Sequence, residues 1–406
     1  MIARTKELGR TIRQHPLILP LYLPTLLIAF SWGVREPILP LYIRDFNVSY
    51  NVVGLVLAAM HLGMLATDLP SGLLMARFGK RRLMILGIAC GTVGSAGLLW
   101  AGSIPVVFAC RLLSGFGYAV YSLARHTFLA DAVPIHSRGR VVAFFGGLFR
   151  IGRFAGPAMG GFVAAQLGLR MPFLLMAGLN AAALLVIFLT MPGDDHPALE
   201  ETLSLSAYLN QLKNTFVENR RVMLPVGLGQ LLAQMVRTAP SAIIPLFAAD
   251  ILNLDVQQIG LIISIGAAID MVMFYPTGVI MDRFGRKFAV VPSFLLQGLG
   301  VIMIPLAGGF AGMVAAAGVI GFGNGLGSGT MMTLGADLAP PDQRGPFLGM
   351  WRLIGDTGFM IGPLAVGSVA DLLALPAAAL ITGSGGLLAS LVFLVLVPET
   401  LRRGKG

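Results

Sequence analysis

The sequence predicts an all-α membrane protein with twelve transmembrane helices in two pseudo-symmetric six-helix bundles. Three observations carry that expectation. The 406 residues are 56% hydrophobic and 12% charged, with a mean hydropathy of +0.82, whereas soluble domains carry about 25% charged residues. Apolar runs of membrane-crossing length recur along the whole chain. The second half of the sequence also repeats the first at a fixed offset.

Runs of roughly 20 or more apolar residues, enough to cross a bilayer, fall at about 17–43, 51–76, 83–102, 104–129, 141–167 and 171–191. A second set falls at about 222–249, 256–281, 289–308, 310–335, 347–373 and 376–397. Their length and the lack of strict alternation exclude a porin-like barrel. The chain therefore divides into a first bundle over 1–191, a linker over 192–221 and a second bundle over 222–406. The linker opens with Asp194, Asp195, Glu200 and Glu201, and then sets Leu205, Tyr208, Leu212 and Phe216 at helical spacing. That spacing suits an amphipathic helix lying on the cytoplasmic membrane face; a plain flexible linker is the alternative.

The formal charge is +10, and its placement explains it. Of the Lys and Arg residues, 20 fall on the side of the N-terminus, two (Arg44 and Arg170) on the other side and seven inside runs. This is the positive-inside pattern, with both termini cytoplasmic, as in a plasma (bacterial inner) membrane. The basic excess thus reads as topology, and no nucleic-acid partner is expected. The first 16 residues are polar and basic and the first apolar run is long enough to span, so no cleavable signal peptide is expected. Cys90 and Cys110 lie in apolar runs and read as small buried hydrophobes, not as a disulfide or metal site.

The repeat is clearest in one short stretch. Gly72-Leu-Leu-Met-Ala-Arg-Phe-Gly-Lys-Arg-Arg82 returns as Gly278-Val-Ile-Met-Asp-Arg-Phe-Gly-Arg-Lys287, 206 positions on. Each copy joins two apolar runs, and Gly79 and Gly285 permit the backbone reversal. The offset continues through Gly54/Gly260, Pro70/Pro276, Gly115/Gly321, Asp131/Asp337, Gly152/Gly358 and Gly156-Pro157/Gly362-Pro363. Parallel repeats of this kind are related by an axis along the membrane normal.

The duplicated basic turn resembles the loop between helices 2 and 3, and 8 and 9, of the major facilitator superfamily. The second copy carries the full pattern with Gly278, Asp282, Arg283, Gly285 and Arg286. The first has Gly72, Arg77, Gly79, Lys80 and Arg81 but Ala76 in place of the aspartate. The resemblance implies the major facilitator fold, transport by rocking of two halves around a central cavity, and a gating role for these loops. It further implies that Asp131 and Asp337 latch the cytoplasmic side, with Lys80 and Arg81 as partners of Asp131. Ala76 removes the acid that in the family holds the loop against helix 11, so gating in the first half must differ.

In the fifth run, Gly152-Arg-Phe-Ala-Gly156-Pro157-Ala-Met-Gly160-Gly161 resembles the antiporter motif of drug-efflux members. Small residues four apart also let helices pack closely and proline bends them, so packing alone is the alternative. Arg111, Gly115 and Gly117 in the fourth run resemble the family's motif linked to proton transfer. A charge inside hydrocarbon needs a wet cavity or a partner, and for Arg111 a structural salt bridge is the competing reading.

Inside the runs lie seven arginines (Arg35, Arg111, Arg125, Arg150, Arg153, Arg237 and Arg352) and four acids (Glu36, Asp68, Asp270 and Asp356), a formal +3. Depth follows from counting residues at about 1.5 Å each. Asp270 is 15 before Gly285, while Arg150 and Arg153 are 11 and 14 after Gly139. Asp68 is 11 before Gly79, while Arg352 and Asp356 are 7 and 11 after Gly345. In the family fold helix 5 faces helix 8 and helix 2 faces helix 11, so Asp270–Arg153 and Asp68–Arg352 are expected to bridge the halves. Such pairs are either proton-opened switches or static struts. Glu36, beside Arg35 in a cavity-lining first run, is the first choice for a proton or substrate carboxylate, unless Arg35 neutralises it.

The expected cavity residues are Trp32, Arg35, Arg111, His126, Arg150, Arg153, Gln234 and Arg237. The proton-coupling set is Glu36, Asp68, Asp270 and Asp356. No phosphate-binding loop of the glycine-x4-glycine-lysine type, metal-ligand spacing or nucleophile–base arrangement stands out, so no enzyme activity and no cofactor are expected, with a proton gradient as energy source. The reading is a monomeric secondary transporter that exports small amphipathic compounds in exchange for protons. The excess of arginine leaves an organic-anion or lipid-like substrate as the alternative, and a non-transporting receptor on the same fold as a third.

Overall fold

The computed structural model describes residues 18–68, 71–133, 135–193 and 205–401, with only the backbone described at some segment edges, among them Asp68, Gly72, Ala76 and Tyr208. Among the described residues every regular element is a helix. After a short π-helical turn at Ile18–Tyr22, the first half contains α1 (Leu23–Arg44), α2 (Tyr50–Asp68), α3 (Ser71–Phe78), α4 (Lys80–Trp100), α5 (Ile104–Ala132), α6 (Ile135–Leu167) and α7 (Met171–Thr190). Next comes α8 (Leu205–Glu218), and then α9 (Arg220–Thr238), α10 (Pro240–Asp250), α11 (Val256–Arg283), α12 (Lys287–Met303), α13 (Phe310–Leu326), α14 (Thr330–Leu338), α15 (Arg344–Leu373) and α16 (Leu375–Val395).

Among the described residues, eleven stretches are long and apolar enough to cross a membrane. Of the helices with 18 or more residues, the one absent from that set is α6. At 33 residues it has ample length, but its glycines and four arginines dilute the hydropathy. Apolar side chains such as Trp100, Phe188, Leu189 and Phe288 stand exposed on the outside, as lipid-facing positions should.

Among the described residues, two predicted runs break between two α-helices. The seventh breaks at Ala239-Pro240 into α9 and α10, because Pro240 lacks the amide that would continue the ladder. The tenth breaks at Gly327-Ser-Gly329, where Gly329 takes φ 73°.

The repeat governs tertiary contacts as well as sequence. In the first half α1 lies along α6 and α7, α4 along α5 and α7, and α2 along α5. In the second half the equivalent helices repeat this, with α9 along α15 and α16, α12 along α13 and α16, and α11 along α13. Two seams join the halves, α2 against α15 and α6 against α11. Close approaches recur at the same offset. A Cβ on Gly115 would stand 2.0 Å from the Met60 carbonyl, and one on Gly321 would stand 2.0 Å from the Gly266 carbonyl. Only glycine admits such backbone contact.

Gly79 at φ 74° and Gly285 at φ 122° make the basic turns before α4 and α12. Lys80 and Arg286 define what is called here the basic face; the opposite end, with the turns at Asn47 and Asn253, is the far face. Lys80 forms an ion pair with Asp131, and Arg286 lies 3.0 Å from Asp337, again 206 apart in both partners. Arg81 instead donates to the Phe188 carbonyl at 2.8 Å, so of the two expected partners the contact on Asp131 is made by Lys80. Asp282 sits one turn before Arg286 at 3.6 Å. Ala76 and Gly72 lie outside the described side chains.

The linker helix forms as α8, but its apolar face packs on protein. Leu212 and Thr215 are buried, α8 lies against α15, and Gln343 bonds both Asn219 and Glu218. The linker is thus helical and docks on the second half. Tyr208 lies outside the described side chains.

At the start of α12, the Glu399 carboxylate accepts from the amides of Arg286 and Lys287 at 2.9 and 3.0 Å. Burial raises its pKa, but the amides of Leu401, Lys287, Arg286 and Thr400 outweigh that and hold it below the usual carboxylate range. A depressed carboxylate stabilises the fold above its unfolded-state pKa and loses that contribution as pH falls through the folded value. Glu399→Gln is thus expected to lower stability at pH 7 by about 0.3–1 kcal/mol at low salt. Melting curves of the two proteins should converge once the pH has fallen through the folded value, and in high salt; a difference that persists there would assign the effect to packing.

Candidate functional site

The in-span charges converge on the α6/α11 seam at mid-depth. Asp270 is 6% exposed, and its Oδ1 lies 3.7 Å from Arg150 Nη2, a charge contact rather than a hydrogen bond. Its Oδ2 accepts from Asn324 Nδ2 at 3.1 Å. Arg150 also bonds Ser328 and stacks over Phe274 at 4.3 Å, so one side chain of the first half holds three groups of the second. The expected partner Arg153 turns instead toward α1, where its Nη2 lies 3.5 Å from Glu36 Oε1. Arg153 and Arg237 remain within electrostatic range of Asp270. The result is a line of charges, Glu36–Arg153 followed by Asp270–Arg150, that starts inside the first half and ends across the seam.

The sequence placed the right residues here but chose the wrong pair. Residues 150 and 153 sit about 60° apart around a helix turning 3.6 residues per turn. Counting depth therefore cannot say which of them faces α11. The same difficulty applies to Glu36. Of the two arginines near Glu36, Arg153 makes the ion pair and Arg35 stays only within electrostatic range, because neighbouring helical residues diverge by about 100°. Arg35 points toward Met60, with Nη1 3.1 Å from Sδ, and lies over Trp32 at 5.0 Å.

On the other seam, Arg352 contacts Asp356 one turn on at 3.6 Å. The side chain of its expected partner, Asp68, lies outside the described residues. His126 is exposed beside Arg125, with Nε2 3.3 Å from Nη2. Gln234 is buried and accepts from Arg237 at 3.3 Å, while a second Arg237 nitrogen donates to the Gly327 carbonyl. Arg111 is 3% exposed and, among the described residues, has no carboxylate within ion-pair distance, which leaves the competing structural salt bridge without a partner there.

The glycine motif of α6 serves two neighbours at once. Cβ atoms on Gly152, Gly156 and Gly160 would meet α1 backbone at 2.4, 2.6 and 2.3 Å, whereas one on Gly161 would meet the Val256 carbonyl of α11 at 2.6 Å. Across the seams the contact is pseudo-symmetric. Gly260 faces the Pro157 carbonyl and Gly54 faces the Pro363 carbonyl, each with a would-be Cβ distance of 2.4 Å.

Sequence reasoning missed the far-face network entirely. Asp371 of α15 accepts from the Tyr50 and Asn51 amides at 2.8 and 2.9 Å, capping α2 from the other half. Arg44 lies 3.3 Å from Asp250, which also accepts from the Tyr50 hydroxyl at 2.8 Å. Arg44 and Asp250 are themselves 206 apart. Equivalent positions that touch must lie near the pseudo-two-fold axis, and opposite charges at equivalent positions are a signal the sequence does contain. The inter-half contacts named here all lie between mid-depth and the far face.

The sequence profile of the Major Facilitator Superfamily matches residues 21–223 and 226–406. Among similar proteins, a class C tetracycline resistance protein of Escherichia coli is 24% identical over 93% of this chain and 94% of its own. The quinolone resistance protein NorA of Staphylococcus aureus is 22% identical over 87% and 90%. The crystal structure of the nucleoside transporter NupG superposes with a TM-score of 0.77 at 15% identity, covering 94% of this chain and 98% of that one. A transporter fold at that likeness, with a family profile spanning nearly the whole chain, leads to one assignment: this chain belongs to the Major Facilitator Superfamily.

Proposed function

We propose that this chain is a proton-coupled exporter of small amphipathic compounds working by alternating access. It would reside as a monomer in the bacterial inner membrane with both termini and the basic face cytoplasmic. The observation that carries this reading is the Arg150–Asp270 contact. A nearly buried carboxylate faces a guanidinium across the seam along which the halves would part. Protonating such a carboxylate removes the attraction, and removing one partner of a buried pair costs about 3–5 kcal/mol. That suffices to bias an equilibrium of a few kcal/mol between two states. The far-face contacts of Arg44, Tyr50 and Asn51 supply the seal that an inward-open state requires. The glycine-proline motif and the drug-resistance relatives support export over uptake.

A second reading has its own support. Glu36, Asp270 and Asp356 each sit beside an arginine, whereas Arg35, Arg111, Arg125 and Arg237 have no carboxylate within ion-pair distance among the described residues. Such a surplus favours an anionic or zwitterionic substrate. The test is flux in proteoliposomes with an imposed pH gradient, using matched lipophilic cations and organic anions. Gradient-dependent flux of either class supports coupled transport, and the preferred class selects the substrate charge; flux indifferent to the gradient overturns the coupling. Glu36→Gln should reduce gradient-driven flux by at least about tenfold, since Arg153 then loses its counter-charge. Unchanged coupling would remove Glu36 from the proton path.

A further inference from the structure

A separate, partly open cavity lies within the first half, bounded by α1, α2, α4, α5 and α7. Its polar lining includes Arg35, Arg111, Ser31 and Asn180, set among Trp32 and Tyr118, and contains no acidic residue. Residue counts place Arg35 and Arg111 about 13 and 10 Å from the far ends of their helices, so the chamber lies in the far half of the bilayer, away from the α6/α11 seam.

The charge in this chamber is one-sided. Arg111 is 3% exposed, lines the cavity, and its Nε has no hydrogen-bond partner in the protein. Arg35 lies within electrostatic range of it, and its Nη1 contacts only the weak acceptor Sδ of Met60. Glu36, the nearest acid in sequence, is engaged with Arg153. His61 stands within range of both guanidiniums, with a buried Nδ1 that also lacks a partner. A buried and a half-buried guanidinium facing one space, with an aromatic wall of Trp32 and Tyr118 at 4.4 Å between centroids, match an oxyanion joined to an apolar body. A planar carboxylate can accept from the guanidinium forks, while its apolar part replaces water against the rings.

We propose that this chamber is an anion-binding site for a monocarboxylate with an aromatic or aliphatic body, held by Arg35 and Arg111. An inorganic oxyanion offers the same acceptor chemistry without the apolar body, and the test separates the two. The site is independent of which compound crosses between the halves, because it is assayed by binding without a gradient.

Trp32 supplies the signal. In the purified full chain carrying Trp100→Phe and Trp351→Phe, titration with benzoate should change Trp32 fluorescence saturably, whereas benzyl alcohol and benzylamine should not. Sulfate should bind at least about tenfold more weakly than benzoate, lacking the apolar contacts. Arg111→Gln should weaken benzoate at least about tenfold and Arg111→Lys less, since a lysine keeps the charge but not the fork. Arg111→Gln is open to misfolding, so a second variant blocks the chamber with both arginines in place. Gly91 lines it, and a Cβ there meets nothing within 4 Å, so Gly91→Leu should fold, keep its thermal stability and lose benzoate binding. An equal response to benzyl alcohol, sulfate as tight as benzoate, or benzoate binding unchanged in folded Gly91→Leu would each overturn the proposal.

Discussion

Asp270→Asn is expected to abolish gradient-driven transport. The carboxylate is nearly buried and stands 3.7 Å from Arg150 across the α6/α11 seam. The substitution keeps the shape and leaves an oxygen to accept from Asn324, but it removes the charge and the group able to take a proton. The remaining cost is the uncompensated guanidinium, about 3–5 kcal/mol, or about 10²- to 10⁴-fold in the equilibrium between conformations. Proteoliposomes should show substrate flux no longer accelerated by a pH gradient, while downhill exchange persists. Arg150→Gln in the same chain should recover stability but not coupling, and the double-mutant cycle isolates the pair term. Undiminished gradient-driven flux in Asp270→Asn would remove this residue from the coupling mechanism.

Gly260→Leu should arrest the cycle for a different reason. A Cβ at this position would stand 2.4 Å from the Pro157 carbonyl and 3.2 Å from Gly161 Cα, so α6 and α11 cannot meet there with a side chain between them. Overpacking costs about 1–3 kcal/mol, occasionally more, and here it falls on the closed far face alone. Spin labels at positions 47 and 253, in a chain with both native cysteines replaced by serine, should report a longer distance. Gly54→Leu should act alike, because its Cβ would meet the Pro363 carbonyl at the pseudo-equivalent contact. Gly91→Leu, whose side chain enters open space, is the matched control. Unchanged label distances in both seam variants would show that these glycines do not set the closed state.

Much of the architecture is legible in the residues alone. Run length sets the helices, because a bilayer leaves no alternative for satisfying the backbone. The 206-residue offset sets the correspondence of elements, the family resemblance named Lys80 and Arg81 as partners of Asp131, and the structure puts Lys80 there and repeats the contact at Arg286–Asp337. The resemblance of helix 5 to helix 8 neighbours in the family placed Arg150, Arg153 and Asp270 at one depth on one seam. What failed was azimuth: the depth counts put Arg153 on Asp270, and the structure puts Arg150 there and Arg153 on Glu36.

The sequence by itself determined which segments enter the membrane, that they come as a duplicated unit, and which side carries the basic turns, because these depend on hydropathy and on spacing along one dimension. Only the tertiary structure decided which of two neighbouring arginines meets which acid, that Asp371 caps a helix 321 residues away, and that Arg35 and Arg111 share a chamber apart from the seam. Those outcomes depend on the rotation of each helix about its own axis. Packing of small residues against neighbouring backbone sets that rotation, and no pattern read along a single helix contains it.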